Sequence, residues 1–213
     1  MQKATIMQIK EDLRFPFTLL FHPIRGFGEL KQQKRGRVWV AFLILLLWVF
    51  TNVFEHQVTS FLFNENAYVP ADLLTEIRNV ALITILILLG NWSITTLMEG
   101  EGNFQDIFIV IGYSALPHIL IRIPLALLSN LLSFAEKGYA DALLNLTWIW
   151  FFGLLLIGIM VIHQYTVAKT LATSLLTLAG VMIILFLAFI FLMLFWQMWG
   201  FLTVLGKEIQ MRL

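Results

Sequence analysis

The chain of 213 residues is 60% hydrophobic and 13% charged, with a formal net charge of +1, and no single soluble core of this size hides so much apolar surface. It contains no cysteine, which excludes disulfides, thiolate metal sites and cysteine catalysis. Five long apolar runs predict an all-α fold, a polytopic transmembrane helix bundle with spans at about residues 38–54, 80–98, 107–134, 146–162 and 175–205. About 20 apolar residues suffice for one crossing.

Residues 1–37 precede the first span and read as a separate basic segment. Eight of the fourteen Lys and Arg residues lie there: Lys3, Lys10, Arg14, Arg25, Lys31, Lys34, Arg35 and Arg37, opposed by Glu11, Asp12 and Glu29. The positive-inside rule puts this end in the cytoplasm. Because the cations abut a span and alternate with apolar rings, they predict anionic lipid headgroups as partner and no nucleic acid. Phe15, Phe17 and Phe21, with Arg25, Lys34, Arg35 and Arg37, are the candidate interfacial anchors of an in-plane segment. Pro16 and Pro23 are expected to break it into short pieces. The first apolar run begins too far in for a signal peptide, so the whole chain is expected to be retained.

The loop after the first span carries Glu55, Glu65, Asp72 and Glu76 against Arg78 alone, a poverty in cations that suits the outer side. Five crossings then place the C-terminus outside. Trp148 and Trp150, and Trp196 with Trp199, fall at that outer interface in this topology. The third span holds Pro117 and Pro124, so it is either kinked or re-entrant. The fifth run has no charge from Leu175 to Leu205; at 1.5 Å per residue it is too long to stand upright in a bilayer.

Polar groups inside the spans are the candidate functional residues, because lipid does not satisfy them. Ser114, His118 and Arg122 follow at four-residue spacing on one helix face, with Tyr113 beside them. Asn91, Thr95 and Glu99 make a matching stripe on the second span, and Asn91 is expected within direct or water-mediated hydrogen-bonding reach of His118. Arg122 has Glu136 and Asp141 as candidate ion partners. The turn EGEGNFQD places Glu99, Glu101 and Asp106 on the inner side, where His163 is a candidate partner of Glu99. It lacks the frame of a calcium loop, and no metal site, cofactor site or nucleophile–base pair stands out.

FHPIRGFGELK before the first span, NWSITTLMEGEG closing the second and IGYSALPHIL in the third resemble the Yip (Ypt-interacting protein) membrane-domain family, in its bacterial branch. The resemblance implies a non-enzymatic membrane protein of five spans. Relatives that bind Rab-type GTPases carry a DLYGP motif; it is missing here, so that partner is not implied. Two functions follow as expectations: a membrane scaffold or assembly factor with intramembrane partners or self-association, or a small transporter or its accessory subunit, using the Asn91–Tyr113–His118–Arg122 cluster.

Overall fold

The computed structural model describes residues 2–64 and 72–212; Glu65, part of the expected outer loop, lies outside them. Among the described residues the fold is helical without strands: α1 Gln2–Phe21, α2 Pro23–Gln33, α3 Val38–Val58, α4 Leu73–Leu97, α5 Phe104–Ser114, α6 Leu116–Leu128, α7 Lys137–Ile162 and α8 Val167–Arg212. Five segments are long and apolar enough to cross a membrane: α3, α4, α5 with α6, α7 with the short 3₁₀ turn before it, and α8. Below, the N-terminal face is the side where α3 begins, and the far face is the side where it ends.

Local chemistry fixes most boundaries. The Asp72 carboxylate accepts from the Leu74 amide (3.1 Å) and the Thr75 hydroxyl (2.7 Å), so α4 starts seven residues before the expected 80. Hydrogen bonds from Thr75 and then Leu74 also hold the Asp72 carboxyl below its ordinary range. Asn103 and Asp106 form a capping box that opens α5. The third span stops at Leu128, short of the expected 134. Past it, the Ser129 hydroxyl accepts the Ser60 amide (2.9 Å) and Asn130 donates to the Val58 carbonyl (2.8 Å), tying its end to that of α3. The fourth span starts at the Ser133–Glu136 capping box, well before the expected 146. Lys137, Asp141 and Asn145 dilute hydropathy there without ending the helix.

The third span is kinked. Pro117 has no amide to give the Tyr113 carbonyl, and the helix breaks at Ala115. It is not re-entrant: α3 and α7 each pack along both α5 and α6, so the two halves run on in one direction. Gly112 permits the close approach of α5 to α3, since a Cβ there would stand 2.9 Å from the Ala41 backbone. Pro124 sits inside α6 without breaking it.

The N-terminal segment departs most from expectation. Pro16 lies inside α1, and the break falls at His22, with Pro23 in the first turn of α2. α1 and α2 form a hairpin. Phe15, Leu19, Phe27 and Leu30 belong to the same core as α3, α5 and α7, so the hairpin packs on the bundle. Phe15 is 4% exposed and faces protein, whereas Phe17 and Phe21 are exposed.

α8 packs on α4 where Gly90 lets Val181 and Thr177 approach. Its 46 residues extend about 69 Å. From residue 185 to 211 every side chain is exposed.

Candidate functional site

The central polar cluster is built from three helices, α3, α6 and α7. His118, in α6, bonds to Arg122 one turn later (Nε2 to Nη1, 3.0 Å) and to Thr147 of α7 (Nδ1 to Oγ1, 3.2 Å). The Thr147 hydroxyl proton goes to the Leu144 carbonyl at 2.7 Å, so Thr147 accepts from His118 Nδ1–H. Nε2 then carries the lone pair that accepts from Arg122, which defines the neutral ring and its tautomer. Arg122 Nε lies 3.1 Å from Glu55 Oε2 of α3. The N–H is not aimed at that oxygen, and Nε has no hydrogen-bond partner; the contact is an ion pair without a hydrogen bond. Trp48 and Trp148 pack on the His118 ring, at 5.1 and 4.9 Å between centroids. Toward the far face the cluster opens into a cavity of about 430 Å³ lined by Asn52, Glu55, His56, Glu76, Arg122 and Asp141, among others.

The expected partners are only partly the observed ones. His118 and Arg122 do meet. Arg122 pairs with Glu55 rather than Glu136, which caps its own turn, or Asp141, which only shares the cavity wall. Asn91 does not bond to His118: both its amide atoms are buried without a hydrogen-bond partner. α4 turns its inner half toward α8 and α5, and Asn91 sits about 9 Å from that helix end whereas His118 is about 21 Å from the start of α5. The Ser114 hydroxyl is buried and also lacks a partner. Tyr113 serves the N-terminal side instead: its hydroxyl accepts the Arg37 amide at 3.0 Å, and its ring meets Phe15. Trp148 is half-buried and packs against the core, with its ring on His118 and Phe151.

A second cluster closes the N-terminal face. α4 and α7 both end on a residue in left-handed backbone, Glu99 (φ 56) and Gln164 (φ 54). Each is followed by the six-to-one bond of a Schellman turn, Gly100 to Thr95 and Tyr165 to Met160. Such backbone costs a non-glycine residue about 1 kcal/mol. The two turns are locked together. His163 Nδ1 accepts the Gly102 amide (3.1 Å), and Tyr165 stacks on the His163 ring and donates to the Met98 carbonyl (3.1 Å). A Cβ on Gly100 or Gly102 would run into the His163 ring, which explains why the EGEG turn needs both glycines. Lys31 of α2 donates to the Glu101 carbonyl and stands 3.8 Å from Asp106. His163 therefore bonds the turn backbone, not the Glu99 carboxylate.

Three of the four anchor cations have protein partners. Glu29 holds both Arg25 (3.1 Å) and Arg35 (2.8 Å), Arg35 also lies over the Phe15 ring, and Arg37 pairs with Asp12 at 3.4 Å. Lys34 ends α2 in left-handed backbone. Glu55, Thr147, Trp48 and Lys31 were not legible as site residues. Glu55 was visible only as a loop charge, and no spacing links it to Arg122.

Burial, then the nearby Lys31 charge, pushes His163 from its ordinary 6.5 down to about 4, against a smaller opposing pull from Asp106. Tyr165 is raised by burial and then by Glu99. For His163 the unfolded chain binds the proton more tightly. Stability is therefore greatest above pH 6.5 and falls as pH drops toward 4. Thermal unfolding is expected to show a loss of about 1 kcal/mol between pH 7.5 and 5.5. His163→Gln should flatten that slope; an unchanged slope would remove His163 as its source.

Five helices long and apolar enough to cross a membrane, packed around a core that also buries polar side chains, define a multi-pass helical membrane protein. The Yip1 domain family model matches residues 17–190, from within α1 to within α8, and the chain belongs to that family. No curated protein and no solved structure matches it.

Proposed function

We propose that this Yip1-domain protein is a non-enzymatic membrane scaffold or assembly factor of the family's bacterial branch. In this reading it resides in the plasma membrane with its N-terminus cytoplasmic and its C-terminus external. It acts through other membrane proteins or a second copy of itself. The observation that carries the reading is α8. Its first part packs on α4, and the rest is exposed from residue 185 to 211, uncharged and mostly apolar as far as Leu205. That length exceeds the roughly 30 Å a single crossing needs, so the arm offers a long helix–helix surface beside the bundle.

The polar core fits a structural role. Its one hydroxyl beside an imidazole, Thr147 on His118, has the wrong polarity for nucleophilic attack: the ring donates, and the hydroxyl proton is committed to Leu144. Arg122 occupies the other ring nitrogen.

A transport role is the second reading, favoured by the cavity of about 430 Å³ beside Arg122. Against it, buried Trp48, Tyr113, Phe151 and Ile111 fill the interior between that cavity and the N-terminal face. Purification of the intact protein in native lipid separates the two. A partner at fixed stoichiometry supports the scaffold. A monomer free of partners, stabilised by one particular solute, would replace it with transport.

A further inference from the structure

We propose that α1 and α2 form a re-entrant hairpin that enters the membrane from the N-terminal face and ends near its mid-plane, with the acyl chains of one leaflet as its partner. The chain of contacts sets the depth. At the base, Arg37 pairs with Asp12, and Lys31 reaches Glu101 and Asp106 at the turn before α5. One level in, Phe15 meets Tyr113, and Phe27 lies against Gly158. At the tip, Leu20 packs with Leu116 and Leu154. Leu116 is about 18 Å along the third span from Phe104, and Leu154 about 12 Å from the end of α7 at Ile162. Half of a 30 Å hydrocarbon core is about 15 Å.

The sequence suits that depth. Residues 17–24, FTLLFHPI, carry no Asp, Glu, Lys or Arg. Leu19 and Leu20 face the bundle, while Phe17, Phe21 and Ile24 are 45%, 75% and 63% exposed. In water these three would be an apolar patch on a charged segment; between spans, they meet lipid. Two helices joined by one residue keep nearly all backbone groups bonded, as hydrocarbon requires. Arg25 follows the tip and bends back to Glu29, one turn nearer the face. The hairpin adds two rods to the five spans on one side only, so seven helices occupy one leaflet and five the other.

The natural absence of cysteine allows a direct test. Spin labels on Phe21→Cys, Ile24→Cys and, at the base, Gln33→Cys are read in the full chain reconstituted in phosphatidylglycerol–phosphatidylethanolamine vesicles. Collision with oxygen and with a water-soluble nickel chelate gives depth. The proposal predicts that labels at 21 and 24 collide with oxygen, exclude nickel and report mid-bilayer depth, while the label at 33 collides with nickel. Labels at 21 and 24 that sit at headgroup depth would overturn it, leaving an in-plane segment. So would labels shielded from both reagents, which would mean protein covers the tip. Two tip positions guard against one variant misfolding.

Discussion

Trp48→Ala is expected to lower stability by about 3–5 kcal/mol, the range for truncating a fully buried large aromatic side chain. Trp48 is 2% exposed and stands where α3, α6 and α7 meet, with ring centroids 5.1 Å from His118, 5.6 Å from Phe151 and 6.1 Å from Trp148. The loss has two parts. The cavity removes dispersion contacts that lipid cannot enter to replace. The His118 ring also loses the wall that orients it between Arg122 and Thr147. The comparison is Phe50→Ala on the same helix, since Phe50 is 56% exposed and faces outward. Denaturant titration in mild detergent should find that change within about 0.5 kcal/mol of the parent. Equal losses at the two positions would mean that α3 does not pack as described.

Removing either partner of the Arg122–Glu55 pair should cost about 2–3 kcal/mol. Breaking a fully buried pair costs more, about 3–5 kcal/mol, but these side chains remain 19% and 20% exposed, which lets solvent screen part of the charge. Arg122→Leu strands Glu55 beside Glu76 across a shared cavity. Glu55→Leu leaves Arg122 hydrogen-bonded to neutral His118, with Glu76 across the cavity as the remaining anion. The double change should recover most of the loss, because the desolvation penalty leaves with the second charge. Additive losses in that cycle, or single changes under about 0.5 kcal/mol, would show that the pair is not coupled.

Hydropathy carried the architecture because lipid imposes it: a run without charge has nowhere else to go. The ends of the spans were less visible. Lys137 and Asp141 lie in the first turns of α7, and a window average places its start too late. Pro16 read as a breaker, yet α1 continues through it. The same difficulty spoiled the match of Asn91 to His118, since depth was counted from helix ends that were themselves displaced. What spacing did reveal was local. His118 and Arg122, one turn apart, touch. Glu55 and Arg122 do not announce each other, since 67 residues separate them and tertiary packing chooses the pair. The turns at Glu99 and Gln164 were hidden for another reason: left-handed backbone usually signals itself by glycine, and here acid and amide residues occupy it.

The central claim is that function lies on α8 rather than in the polar core, and photo-crosslinking from single positions tests it most directly. Phe189 on α8 and Phe42 on α3 are similarly exposed in one copy, 61% and 55%. A photoreactive residue at each, in the full chain in its native membrane, samples what covers them. The account predicts a discrete protein adduct from position 189, with a second copy or another membrane protein, and lipid adducts alone from position 42. Lipid adducts alone from both positions would contradict it.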